Sequence, residues 1–319
     1  MKFQKIQDEI IYTRQRYRTQ REMEDLFIAA GYTVIDTSFF EDYDDFVDIN
    51  KRVKKESMVK VLNSKGNILI LRPDITTGII RSLIPRWEDG SKLKLFYSST
   101  VFKNKADTGI HEDKQVGIEY LGENSYTADY EVIKLGLHVL EKYEANYILE
   151  LGTSKYLNSL LKELNLPAPA ERKIKILIYN KNRFDLTDFI NELGLPGEIK
   201  ELFINLLDFQ GNFEEVVKKT KHYYANAGMS TALAELEGIK TYIEENEDLA
   251  HIYFDLATVP AFDYYEGIIF KGYYPQVYRP ILSGGRYDYL TARVGRNVPA
   301  VGFTIDMNQL MKVLYKEEV

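Results

Sequence analysis

Cysteine is absent from the 319 residues, and histidine occurs four times, as His111, His138, His222 and His251. Without cysteine there can be no disulfide framework, thiolate zinc site or cysteine nucleophile. No two histidines stand in His-x-x-His or His-x-x-x-His spacing, so no histidine-built metal site is expected. Carboxylate-bound magnesium stays open on this ground. No stretch approaches the ~18 consecutive apolar residues that span a bilayer. The opening Met1-Lys2-Phe3-Gln4-Lys5-Ile6-Gln7-Asp8-Glu9 places acids where a secretory signal needs an apolar run. A soluble, cytoplasmic location is the expectation. Basic charge is also in deficit, 41 Lys plus Arg against 48 Asp plus Glu, for a formal charge of -7. Such a balance argues against a protein built mainly to grip phosphate backbones. Neither a Walker loop nor a Gly-x-Gly-x-x-Gly after a strand is present.

What remains is ordinary globular material, 45% hydrophobic and 28% charged. Ile6, Ile10, Tyr17, Leu26, Phe27 and Ala30 recur at roughly helical spacing before Gly31, predicting a helix over 4–30. A strand follows over 32–40. Apolar runs at 57–62 and 67–71 flank Asn63-Ser64-Lys65-Gly66, a hairpin signal. The pattern then predicts a helix over 76–86, strands over 92–103 and 113–122 around a polar loop, a helix over 127–143 and a strand over 146–151. Helix-like segments occupy about 160–247, and strand signals return at 251–256, 267–274 and 298–305 before a final helix at 307–315. Runs of strands without strict β-α alternation point to an α+β fold built on antiparallel strands, with a helical insertion at 160–247.

Four clusters carry polar chemistry. Glu41, Asp42, Asp44, Asp45 and Asp48 lack the central glycine and final glutamate of a calcium loop, and read as a solvated acidic turn. Leu71-Arg72-Pro73-Asp74-Ile75-Thr76-Thr77 ends a strand at a helix start, where Asp74 or Thr76 would cap free N–H groups. Gln115 and Glu119 stand four apart on a strand and share a face. An amide and a carboxylate there suit an ammonium or imidazole ligand, or simply a solvated face. Phe262-Asp263-Tyr264-Tyr265-Glu266-Gly267 and Ser283-Gly284-Gly285-Arg286-Tyr287-Asp288 combine glycines, which admit a ligand to the backbone, with tyrosine walls.

Together and in this order these segments resemble the catalytic core of histidyl-tRNA synthetase, a class II aminoacyl-tRNA synthetase. Leu71-Arg72-Pro73-Asp74 resembles its Leu-Arg-Pro-Glu strand, and Phe102-Lys103 through Gln115 and Glu119 its motif 2 hairpin. Phe262-Asp263-Tyr264-Tyr265 resembles its Leu-Asp-Tyr-Tyr signature. Pro299-Ala300-Val301-Gly302-Phe303, with the preceding glycine segment, resembles its closing strand and motif 3. The resemblance implies a class II synthetase-like antiparallel sheet flanked by helices over 1–319, with a dimerisation element at about 4–40. It places Asp74, Thr76, Gln115, Glu119, Tyr265 and Tyr287 around histidine.

The departures fall at the family's phosphate-binding arginines, where this chain has Lys103, Pro260 and Gln309. A guanidinium grips phosphate through two prongs, which lysine cannot copy and proline and glutamine lack. No counterpart of the anticodon-binding domain follows motif 3, so none is expected. A synthetase-like body of this kind resembles the regulatory subunit of short-form ATP phosphoribosyltransferase, of the first step of histidine biosynthesis. That resemblance implies no catalytic residue, metal or cofactor in this chain, and L-histidine as an effector held in the pocket or at a subunit interface. It also implies a homodimer, a hetero-octamer with the catalytic subunit, and no tRNA or membrane partner. The rival reading is a divergent histidine-adenylating ligase.

Overall fold

The computed structural model describes residues 5–50, 53–247, 249–260 and 265–315. They fall into two compact units: one holds the described residues up to Tyr147 and from Gly272 onward, the other those between.

The first unit opens with α1 (Ile6–Ala29), then β1 (Thr33–Val34), β2 (Phe40–Asp42) and α2 (Tyr43–Ile49). The hairpin β3 (Lys60–Leu62) and β4 (Ile68–Leu71) turns through Asn63, whose carboxamide oxygen accepts the N–H groups of Lys65 and Asn67. Next come α3 (Ile75–Leu83), the long strands β5 (Leu93–Lys105) and β6 (Gly109–Leu121), and α4 (Tyr126–Tyr143). The second unit carries β7 (Ile148–Thr153), α5 (Ser154–Leu164), α6 (Ala168–Tyr179), α7 (Arg183–Glu192) and α8 (Gly197–Asn205). There follow β8 (Gln210–Gly211), α9 (Phe213–Thr220), α10 (Ala227–Asn246) and β9 (Ile252–Asp255). During β10 (Ile268–Tyr273) the chain passes back to the first unit, which ends with β11 (Leu282–Arg286), α11 (Asp288–Arg293), β12 (Ala300–Asp306) and α12 (Met307–Leu314).

Pairing is mixed, not purely antiparallel as the strand pattern suggests. In the first unit β5–β6, β6–β12 and β12–β11 are antiparallel, but β1 joins β5 in parallel; in the second, β7 runs parallel to β9 while β8 opposes it. The β5–β6 hairpin also runs longer than expected, to Lys105 opposite Gly109, so the polar loop shrinks to 106–108. The strand expected over 32–40 breaks instead into β1 and β2. Ile35 still donates to the Phe96 carbonyl at 2.8 Å, but the carbonyls of Thr37 and Ser38 turn to the Arg72 guanidinium and leave the ladder. The acidic cluster is likewise a helix start. Asp42 caps α2, and the buried Glu41 and exposed Asp45 each lie 2.5 Å from Arg81.

Side chains alternate across the first unit's sheet with period two. On the reverse face, Phe27 of α1 meets Phe96 and Phe303 at ring-centroid distances of 6.1 and 5.9 Å. Arg286 also points this way, to Asp129 of α4 at 2.9 Å. The front face carries Ser99, Gln115, Gly117, Glu119, Gly302 and Thr304, aligned by the β5–β6–β12 register.

Arg72 is wholly buried, and its guanidinium lies 4.3 Å from the Phe39 ring centroid. It donates to the carbonyls of Thr100 at 2.8 Å and Thr37 at 2.7 Å, and to the Ser99 hydroxyl, clamping residues 37–39 to the edge of β5. Removing it strands buried acceptors, each costing ~1–3 kcal/mol. Arg72→Met is therefore expected to lower the urea-unfolding stability by at least ~3 kcal/mol. An unshifted midpoint would show that the clamp contributes nothing.

Candidate functional site

The site is built on the front face around Glu119, a carboxylate 2% exposed near the C-terminal end of β6. Two hydroxyls converge on it. Thr76, in the first turn of α3, donates to Oε1 at 2.5 Å, and Tyr287, following β11, donates to Oε2. Room for the carboxylate comes from Gly302, directly opposite in the β6–β12 register: a Cβ there would lie 2.1 Å from Glu119 Oε2 and 2.3 Å from the Ile118 carbonyl. Two residues along, Gly117 makes space for Tyr97, whose hydroxyl would lie 2.5 Å from a Cβ at 117. Thr304, paired with Gly117, has a buried hydroxyl with no partner among the described residues. The result is a small, polar-floored site with one buried acid.

Burial pushes the Glu119 carboxyl up to about 8; the Thr76 and Tyr287 hydroxyls pull it down, and nearby Asp74 raises it further. A buried carboxyl without a cationic partner resists ionising. An imidazole N–H or an ammonium brought against it would favour the ionised form and reverse that balance.

Of the residues singled out in the sequence, Thr76, Glu119 and Tyr287 are brought into direct contact. Gln115 lies two pleat repeats away on the same face, opposite Ser99 and Asp306, and is half-buried. Asp74 serves as the N-cap of α3, accepting from the Thr77 N–H at 2.8 Å and its hydroxyl at 2.6 Å. Tyr265 belongs to the second unit, where its carbonyl accepts from Ser154 Oγ at 3.4 Å. Phe262, Asp263 and Tyr264 lie outside the described residues. Gly302, Gly117 and Tyr97 were missed in the sequence; the signal was glycine inside otherwise continuous strands.

Lys103 sits further along the front face, 3.6 Å from Asp113. Asp306 caps α12 through the Gln309 N–H at 3.0 Å, and burial raises its pKa, with Asp113 adding to the rise and Lys103 opposing it. Gln309 itself is buried, its carboxamide oxygen accepting from Lys312 at 3.2 Å. One lysine between two carboxylates offers little to a polyphosphate. Pro260 lies in the second unit and has no donor to offer.

The histidyl-tRNA synthetase family model matches residues 12–310. The chain is 33% identical over 298 residues to an ATP phosphoribosyltransferase regulatory subunit of Bacillus cereus, covering 92% of this chain and 70% of that one. It belongs to the histidyl-tRNA synthetase family, among the ATP phosphoribosyltransferase regulatory subunits. A second such subunit, from Oceanobacillus iheyensis, is 29% identical over 295 residues, covering 92% of this chain and 73% of the relative. The crystal structure of an ATP phosphoribosyltransferase regulatory subunit/histidyl-tRNA synthetase from Bacillus halodurans superposes with a TM-score of 0.83 at 27% identity, over 95% of this chain and 80% of that one. The fold is thus that of the class II synthetases, a mixed sheet flanked by helices. No helix among the described residues is long and apolar enough to cross a membrane.

Proposed function

We propose that this chain is the non-catalytic regulatory subunit of a short-form ATP phosphoribosyltransferase, required for its activity and for feedback inhibition by L-histidine. A separate catalytic subunit transfers the phosphoribosyl group of phosphoribosyl pyrophosphate to ATP, forming phosphoribosyl-ATP and pyrophosphate, the first step of histidine biosynthesis. One observation carries the reading: the buried Glu119 is held by Thr76 and Tyr287, while the family's phosphate-binding arginine positions hold Lys103, Pro260 and Gln309. An amino-acid sensor needs the first and has no use for arginines at the second.

In this mechanism Glu119 accepts from the effector's imidazole or ammonium, with Gln115 completing the polar wall. Asp74 holds the helix that presents Thr76, and Tyr287 contributes a wall. Histidine bound here favours one of two states of the assembly, and the catalytic subunit reads that bias; the coupling works equally in both directions. The chain pairs with a second copy through α1 and the following strands, where Ile6, Ile10 and Ile11 are exposed. Such dimers join catalytic subunits in a cytoplasmic hetero-octamer.

The test is phosphoribosyl-ATP formation by a short catalytic subunit, alone and with this chain, across a histidine titration. Activity should arise in the mixture alone and fall as histidine rises. No stimulation would overturn the reading, and histidine-dependent pyrophosphate exchange with ATP would put an adenylating ligase in its place.

A further inference from the structure

Thr304 is a front-face residue whose hydroxyl has no task in the folded chain. In register it stands between Gly117 of β6 and Ser283 of β11, one pleat repeat along β12 from Gly302. Standard strand rise and spacing put its Cα about 8 Å from that of Glu119, diagonally across the same face. Gly117 and Gly302, its neighbours across and along the strands, carry no side chain to cover it, and Tyr97 lies over Gly117 as a wall on the β5 side. The Thr304 hydroxyl is nevertheless buried, and it meets no partner among the described residues. An unmatched buried hydroxyl is destabilising, and one beside a binding site gains its partner when a ligand arrives.

The charges around it limit what that partner can be. Arg72 spends its guanidinium on the Thr100 and Thr37 carbonyls and the Ser99 hydroxyl. Lys103 lies 3.6 Å from Asp113, and Arg286 turns to Asp129 on the reverse face. Two positions beyond Thr304, Asp306 adds a further acid, capping α12. A neutral hydroxyl with Glu119 on one side and Asp306 on the other can donate to an oxygen, but it brings no positive charge to a carboxylate.

We infer that Thr304 is a second binding residue of this site, and that it reads an oxygen on the ligand and not a negative charge. With Glu119 as the effector's anchor, the reading on which this rests, the imidazole or ammonium sits at Glu119. The oxygen on the ligand's α-carbon substituent then accepts from the Thr304 hydroxyl, whether that substituent is a carboxylate or an alcohol.

Calorimetry on the full chain with L-histidinol, histamine and L-histidine tests this. The first two carry the same charge and differ by a hydroxymethyl group, so L-histidinol should bind ~3- to 10-fold more tightly, the worth of one neutral hydrogen bond. L-Histidine should bind no more tightly than L-histidinol, because Thr304 offers its carboxylate no charge. Thr304→Val keeps the shape and removes the hydroxyl. It should bring L-histidinol down to the level of histamine and leave histamine unchanged, while Thr304→Ser keeps the preference. The analogue comparison needs no variant, so it decides the matter even if Thr304→Val does not fold. Equal binding of L-histidinol and histamine would overturn the assignment, as would a hydroxyl preference that survives in Thr304→Val. So would L-histidine binding more than ~10-fold more tightly than L-histidinol, the mark of a charged partner for the carboxylate. In each of those cases, weakening of all three ligands by Glu119→Gln would leave the anchor standing. Binding of none of the three would remove the anchor itself, and the role of Thr304 with it.

Discussion

Gly302→Ala will unfold the first unit or leave it without its site. The methyl group would arrive 2.1 Å from Glu119 Oε2 and 2.3 Å from the backbone oxygen of Ile118. The carboxylate could swing aside, but the Ile118 carbonyl sits on a strand whose neighbours β5 and β12 hold it from both sides. Overpacking a core ordinarily costs ~1–3 kcal/mol, and a collision with fixed backbone lies at or beyond the top of that range. Relief by parting β6 from β12 would break ladder bonds in the middle of the sheet, adding to the loss. The expected result is a fall in stability of at least ~3 kcal/mol, read as an early urea midpoint, or insoluble expression. In any fraction that folds, histidine binding should be lost because Glu119 has been displaced. A folded variant with wild-type midpoint and intact histidine binding would show that the β6–β12 spacing is softer than the register implies.

Glu119→Gln separates the acid's chemistry from its shape. The carboxamide fills the same space but cannot ionise, and it trades one acceptor for a donor against the Thr76 and Tyr287 hydroxyls. A hydrogen bond to a charged partner is worth ~1.5–3 kcal/mol, so the half-inhibiting histidine concentration should rise ~10- to 100-fold. Unchanged histidine sensitivity would remove Glu119 from the sensor. The same substitution alters the pH dependence of stability, and the sign follows from the raised pKa. Between the ordinary carboxyl value of 4.5 and about 8 the folded protein keeps a proton that the unfolded chain releases. The native state binds more protons there, so stability falls as pH rises through that window and levels off above it. This contribution is full below pH 4.5 and gone above about 8. At 1.36 kcal/mol per pKa unit the difference amounts to several kcal/mol, on the order of 5. The variant should therefore gain on wild type steadily from pH 5 to pH 8 in thermal unfolding, whatever the other groups contribute to both. Parallel curves would mean that Glu119 is ionised in the folded protein at neutral pH. Histidine that donates to the carboxylate favours its ionised form, so wild-type affinity should strengthen over the same pH range.

Much of this architecture is legible because it rests on local rules. Period two alone puts Gln115 and Glu119 on one face, and the β6 register bears that out. Asp74 before a helix start reads as a cap, and its carboxylate does accept from Thr77. The Asn63–Gly66 turn places its hairpin correctly for the same kind of reason. Local rules fail where a distant side chain competes for the backbone. Residues 32–40 carry a strand pattern, yet Arg72 takes the carbonyls of Thr37 and Ser38. The acidic cluster has a solvated look, yet Arg81, 40 residues from Glu41, binds it.

By itself the sequence determined the chemistry available: no thiol, few imidazoles, and an amide and a carboxylate on one strand face. Those facts follow from residue identity and spacing, which no packing can alter. Tertiary structure alone decided which of those groups act on one another. Thr76, Glu119 and Tyr287 are separated by 43 and 168 residues along the chain and meet because α3 and β11 close over β6. The empty space that lets them meet belongs to Gly302, on a strand the local pattern does not connect to Glu119. The perturbed acid is a product of that burial. A carboxylate's pKa depends on what surrounds it in three dimensions, and residue spacing carries no record of its dielectric surroundings.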